Sequence, residues 1–376
     1  MKTQQKWLKQ LCFMNDAVSN NRGLLKQYYS RYGGYWRFPE LLDYCYLVNP
    51  FFPPQKMVEE IKANFDVLLR NYPSGMMVNS QLVSHIYGVE QEFILVGNGA
   101  AELIKALMEG YVGFLGNVLP TFEEYPNRLT PDHLIQFTPQ SEGFRYSATD
   151  LKAFFADKPI DTLLLINPDN PSGNFIPYFD LLDLIQWTKD NDIRFVLDES
   201  FVDFVDGDGK SSLLENDILV DNKHLIVIKS ISKSFGVPGL RLGILASGDM
   251  ALVSKLKKNV AIWNINSFGE YYLQIYHKYI KDYGIACTLF KEERAAFFKE
   301  LSSVPFLKVY PSQANYFLCK VSDRFSSTGL AEQLLSKNIL IKDCKNKSAF
   351  MGGNYIRLAV RDNKDNKYLV DTLNNL

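Results

Sequence analysis

Four short stretches carry continuous apolar cores: "FILVG" (93–97), "TLLLINP" (162–168), "RFVLDES" (194–200) and "HLIVIKS" (224–230). A strand with one wet face alternates apolar and polar positions, whereas a strand covered on both faces does not. Two intervening stretches repeat their apolar residues at helical spacing. These are "AAELIKALMEG", after the first strand, and "YFDLLDLIQWTKDND", between the second and third. The pattern predicts an α/β domain with a mainly parallel sheet covered by helices. In such sheets ligands bind beyond the carboxyl ends of the strands. Those ends read "GNGAAE", "NPDNPSG", "DESFVDF" and "KSISKSFG". Each alone is also ordinary turn chemistry, because Asn, Asp, Gly, Pro and Ser favour turns for local reasons. Four in series point to one site.

The pattern changes after about residue 265. A helical stretch over 268–303 is expected to bridge to a smaller α+β domain. "FLKVY", "NYFLCKV", "ILIKDC" and "YIRLAV" read as its strands and "GLAEQLLSKN" as a helix. Residues 1–60, rich in proline and aromatics, are expected to form an N-terminal arm and part of that small domain. The expected division is 1–60, 61–267 for the large domain, and 268–376 for the bridging helix and small domain. No internal repeat is evident.

Composition narrows the class without naming it. The 376 residues are 47% hydrophobic and 22% charged with a net charge of −1, so nothing favours nucleic acid or a membrane surface. Cys12, Cys45, Cys287, Cys319 and Cys344 are scattered and form no C-x-x-C pair. Neither a disulfide framework nor a metal site is implied, and a reducing compartment fits. No run approaches the roughly 20 apolar residues of a membrane helix, and the first residues lack the apolar core of a signal peptide. A cytoplasmic protein is expected.

The strand ends supply candidate chemistry. In "VGNGAAELI", the small Gly99, Ala100 and Ala101 open a helix whose first amides lack intrahelical acceptors, a place where an anion can sit. A plain strand-to-helix turn reads equally well there. "NPDNPSGN" is a rigid turn that also offers the Asn170 amide. Asp198 ends an apolar strand, where a carboxylate needs a cation or donors; a cap or a ligand's cationic nitrogen would serve. "SISKSFGVPGLRLG" adds Ser230, Ser232, Lys233 and Arg241. Two hydroxyls and a guanidinium can hold a phosphate dianion, and a desolvated lysine near positive charge becomes a usable nucleophile. A cofactor with a phosphate, a ring nitrogen and an aldehyde uses all of these, and pyridoxal 5'-phosphate has those three handles.

On these residues, and on "NPFFPP", "YPSG", "PTFEEY", "ANYFLCK" and "YIRLAVR", the chain resembles the fold-type I pyridoxal-phosphate enzymes of aminotransferase class I/II. Within them it is similar to the branch of histidinol-phosphate aminotransferases and threonine-phosphate decarboxylases. The resemblance covers roughly residues 30–370. It implies that Lys233 forms the Schiff base and Asp198 pairs with the ring nitrogen. Tyr125 would stack on the ring and Asn170 would bond its phenolic oxygen. The Gly99–Ala101 turn, Ser230, Ser232 and Arg241 would hold the phosphate. Tyr72 would reach the cofactor of a second subunit in a homodimer. Arg357 and Asn49 would meet the substrate, with Arg361 near it.

The chain departs from the family pattern in places. Aminotransferases of this branch carry tyrosine three residues after the aspartate, where this chain has Phe201, as on the decarboxylase side. Where the decarboxylase pattern has His-Gly-Gly, this chain has Tyr32-Gly33-Gly34. Cys45, Leu47 and Lys342 replace two polar residues and an arginine. In the family those positions lie beside the substrate's phosphate, so the departures bear on which substrate fits. The sequence places an aminotransferase first, acting on a small phosphorylated or anionic amino acid or amine with an oxo-acid acceptor. A phospho-amino-acid decarboxylase is the alternative. A non-catalytic cofactor-binding module leaves Lys233, Asp198, Asn170, Arg241 and Arg357 together without a use, and a dinucleotide enzyme gives Lys233 no role. The lead-in before residue 30 does not match the family, which leaves room for an upstream domain.

Overall fold

The computed structural model describes residues 21–207, 209–322, 324–350 and 352–376. Cys12, the start of the chain and the first third of the expected N-terminal arm lie outside the described residues.

Among the described residues thirteen strands are numbered in chain order. They are β1 (Leu42–Asp43), β2 (Ile94–Asn98), β3 (Leu115–Val118), β4 (Leu134–Phe137), β5 (Thr162–Ile166), β6 (Arg194–Asp198) and β7 (Leu225–Lys229), then β8 (Leu242–Ala246), β9 (Leu307–Val309), β10 (Tyr316–Val321), β11 (Ile339–Leu340), β12 (Lys342–Asp343) and β13 (Tyr355–Ala359). Seven form one sheet in the order β2-β8-β7-β6-β5-β3-β4. Only β8 opposes its neighbours; the other six strands run the same way.

The unbroken apolar runs are explained by helices on both faces. Leu164, Ile166, Val196, Ile226 and Ile228 enter one core with the helices Ala100–Tyr111 and Met250–Lys257. The alternate residues Leu163, Leu165, Phe195, Leu197, Leu225 and Val227 enter the other core, beneath Met76–Tyr87, Tyr178–Asp190 and Ser267–Tyr276. Period-two alternation therefore sends every position to an apolar layer. The same alternation carries Asp198 to one face and its neighbour Glu199 to the other.

A second, four-stranded antiparallel sheet has the order β12-β13-β10-β9, and β1 pairs with β11 in parallel. Leu25, Tyr44 and Leu47 share its core with Phe290 and Phe297 of the helix Ile280–Leu301. The helical stretch expected over 268–303 is three pieces: Ser267–Tyr276, a 3-10 turn His277–Tyr279, and Ile280–Leu301. "ILIKDC" likewise splits into β11 and β12, which pair with different strands; the Tyr29 hydroxyl donates to Ile341 O between them at 2.6 Å. Among the described residues no helix is long and apolar enough to cross a membrane, and no group of three or more His, Cys, Asp or Glu could hold a metal ion.

Candidate active site

The carboxyl ends of β2, β6 and β7 converge, as their polar tails suggested. Asp198 ends β6 fully buried, with two donors on its carboxylate. The Tyr125 hydroxyl donates to Oδ2 and the Ser200 amide to Oδ1, both at 2.8 Å. Ser200 also accepts the Ser230 amide at 2.9 Å, which ties the end of β6 to the start of the lysine turn. Tyr125 therefore has a different place from the one its resemblance implied. Its ring is completely buried and its hydroxyl is spent on Asp198. The aromatic rings facing the lysine are Phe201, whose centroid is 4.1 Å from Lys233 Nζ, and Phe122, at 5.8 Å.

Lys233 lies in the short helical turn Ile231–Ser234 that follows β7. Burial pulls its ammonium down to about 8; Arg357 and Arg241 act in the same direction and Asp198 opposes them. Its amine is thus available near neutral pH without a separate base. The turn is braced from the N-terminal segment. Asn49 donates its amide N–H to Lys233 O at 2.9 Å and its side-chain Nδ2 to Ser234 O at 3.1 Å. Asn49 Oδ1 accepts the Phe51 amide, so both ends of its side chain are used within the protein. Asn49 supports the lysine turn rather than facing the site.

Arg241 adopts a left-handed backbone and its carbonyl accepts the Gly99 amide at 2.9 Å. Its guanidinium lies over Gly99, where a Cβ would stand 2.3 Å from Nη2; with φ at +73°, only glycine suits that position. Gly99 caps the helix Ala100–Tyr111, so the free first amides and the exposed guanidinium flank one point. Among the described residues no carboxylate lies within ion-pair distance of Arg241. Ser230 has no side-chain partner among the described residues. Ser232, expected at the phosphate, is turned away. It donates to Leu242 O at 3.1 Å and accepts the Leu242 amide at 2.7 Å.

Arg357, on β13, donates through Nη1 to Asn170 Oδ1 and through Nη2 to Cys45 O, each at 2.7 Å, while its buried Nε has no partner. Its guanidinium also lies over the Tyr316 ring, 5.3 Å from the centroid. This arginine joins the two sheets at the site, and Asn170 Nδ2 makes no hydrogen bond among the described residues. Arg361 is not brought in. It pairs with Asp365 at 2.8 Å and donates to Asp43 O at 3.0 Å. Tyr72 is 82% exposed, beside Trp263 at a 4.8 Å centroid distance.

Sequence reading missed Phe122, Ser200 and Lys347. Lys347 Nζ bonds Thr121 O and pairs with Glu123 at 3.0 Å, clasping the segment that bears Phe122. No spacing rule separates Phe122 from Tyr125 within "PTFEEY". The side chains present fit pyridoxal phosphate. An unpaired arginine and helix amides suit its phosphate, a buried carboxylate its ring nitrogen, a lowered amine its aldehyde, and an orphaned guanidinium Nε a substrate anion.

Comparison with known proteins agrees. The aminotransferase class I and II family model matches residues 80–373. The CMP-5'-(3-aminopropyl)phosphonate synthase of Streptomyces rubellomurinus is 31% identical over 345 residues, 91% of this chain; the chain spans only 54% of that protein's length. The L-serine phosphate decarboxylase of Sulfurospirillum multivorans is 30% identical over 356 residues, 90% of each chain. The crystal structure of the histidinol-phosphate aminotransferase from Clostridium acetobutylicum superposes with a TM-score of 0.78 at 25% identity, covering 89% of this chain and 98% of that one. The chain thus belongs to the aminotransferase class I and II family, a family of enzymes that bind pyridoxal phosphate.

Proposed function

We propose that the chain decarboxylates a small amino acid carrying a phosphate or phosphonate group, with amino transfer on a like substrate as the second reading. The observation that carries the order is Phe201. The resemblance puts a tyrosine hydroxyl here in aminotransferases of this branch; this chain presents an apolar ring 4.1 Å from Lys233 Nζ. An apolar wall beside the reacting centre disfavours a carboxylate and favours its loss as neutral CO2. One of the relatives above, the L-serine phosphate decarboxylase, bears a name that states the loss of a carboxylate, which supports the same order.

Bound pyridoxal phosphate supplies an electron sink for whichever bond to the substrate's Cα breaks. The residues do the rest. Lys233 would hold the cofactor and carry at its amine the proton for delivery to Cα. Asp198, fixed by Tyr125 and Ser200, would pair with the ring nitrogen and favour its protonated form. Phe122 would cover the ring. Arg241, the Gly99–Ala101 turn and Ser230 would hold the phosphate, and Asn170 Nδ2 would serve the ring oxygen. Arg357 orients the substrate carboxylate. Tyr72 is offered to a second copy, so the active unit is a homodimer.

The second reading rests on the Lys233 amine, which is equally suited to moving a proton from Cα in transamination. A panel of O-phosphoserine, O-phosphothreonine and histidinol phosphate, with and without 2-oxoglutarate, separates the two. Stoichiometric CO2 from a phospho-amino acid without any oxo acid supports decarboxylation; glutamate formation that requires 2-oxoglutarate supports transfer and overturns it.

A further inference from the structure

Behind the site, on the opposite face of the large sheet, lies a buried cluster of charge to which the chemistry above gives no part. Lys229, the last residue of β7, is 3% exposed and pairs with Asp203 at 2.9 Å. Glu199, just past β6, is equally buried. Its carboxylate accepts the Leu213 amide at 2.5 Å and the Ser212 hydroxyl. The Tyr87 ring faces Lys229 Nζ, 5.5 Å from its centroid. One Asp203 oxygen and the Tyr283 hydroxyl are buried without partners.

Such a cluster is poorly explained by stability. Burying an ion pair costs about as much as the attraction returns, and apolar replacements are often neutral or better. Its placement is more telling. Its three charged members lie within two residues of site residues along the chain. Glu199 follows Asp198, Lys229 precedes Ser230, and Asp203 lies two residues past Phe201. The Glu199 amide donates to Ile228 O at 2.8 Å, so the two strand ends are also bonded through the backbone.

We propose that Lys229 is a positioning residue: by holding Asp203, it locks the turn that carries Phe201 to the strand ends that carry Asp198 and Ser230. The distance between the Phe201 ring and the Lys233 amine is set from the far side of the sheet. The inference rests on the reading of Lys233 as the cofactor lysine, but its test does not need the cofactor.

If the lock opens, the Phe201 turn loosens and water reaches Lys233. Burial is the main cause of its lowered value, so the amine's titration midpoint rises from about 8 toward that of an ordinary lysine. The other groups facing it are Asp198, Arg241, Arg357 and the Phe122 ring, and none of these is altered. The measurement is competitive acetylation of Lys233 in the cofactor-free chain across pH, read by peptide mass spectrometry. Lys229→Met is expected to raise the midpoint by about one unit, cutting labelling at pH 8 about fivefold. Asp203→Asn, which preserves shape, is expected to move it in the same direction and decides the matter if Lys229→Met does not fold. Lys308→Met removes an exposed pair with Glu142 and is expected to leave the midpoint in place. An unmoved midpoint in the folded variants, or an equal shift in Lys308→Met, overturns the proposal. Failure of borohydride to fix the cofactor on Lys233 of the unaltered chain refutes the site reading instead, and leaves the titration as it stands.

Discussion

At the scale of single residues, the site depends on few groups, each with one chemical demand. On the proposed reading Lys233 must present a free amine, and burial, which pulls it down to about 8, makes a pH profile. Cofactor capture by the cofactor-free chain should accelerate about tenfold per pH unit below about 8 and level off above it. Stopped-flow absorbance checks this; a rate still climbing through about pH 10 would show an ordinary lysine. Arg357 is held in position by Asn170 and Cys45, so on the proposed reading Arg357→Ala removes the group that meets the substrate anion. A loss of about 30-fold or more in kcat/KM is expected, with the visible spectrum of the bound cofactor retained. Single residues were also where sequence reading erred most. Motif spacing located "PTFEEY" but not which ring turns inward. Nor did it show that Ser232 and Asn49 spend their polar atoms on the backbone around the lysine. Those outcomes are set by side-chain direction, which no linear pattern encodes.

At the scale of elements, the legible strands were those with unbroken apolar runs. β5, β6 and β7 send alternate residues into two cores, and their sequences show it. β3 and β8 were missed because Gly116, Asn117 and Gly243 interrupt them, although every residue of both strands is buried. In sequence the Gly99 turn reads equally as an anion site or a plain strand-to-helix turn; the contact with Arg241 gives the glycine a reason. Gly99→Ala places a Cβ against the guanidinium in a left-handed backbone. Cofactor affinity is expected to fall at least about tenfold with little change in the fold, as measured by equilibrium dialysis. An unchanged affinity would remove Arg241 from the phosphate site.

At the scale of the whole molecule, two quantities can be measured. Burial pushes the Glu199 carboxyl up to about 7, only partly countered by Lys229, so the folded chain keeps a proton that the unfolded chain releases. That contribution to stability is present below the ordinary carboxyl range and is lost as pH rises through about 7. Urea unfolding should show Glu199→Gln losing less stability between about pH 5 and 8 than the unaltered chain, by on the order of 1–3 kcal/mol. Parallel pH profiles would contradict this. Phe65, Val67, Leu69, Tyr72 and Met77 are all at least half exposed along one stretch of chain, more apolar surface than a single copy needs to leave wet. Sedimentation equilibrium should therefore give a dimer, and a monomer at micromolar concentration would withdraw Tyr72 from any shared site. The association of the N-terminal segment with the second sheet was legible only as an aromatic-rich texture, because its partners Phe290 and Phe297 lie some 250 residues away.

The most direct test of the account is borohydride reduction of the cofactor-loaded chain, followed by peptide mass mapping. The expected result is one cofactor per chain, fixed on Lys233 and absent after Lys233→Ala. Attachment to another lysine, or no attachment while the protein remains catalytically active, would contradict the site described above.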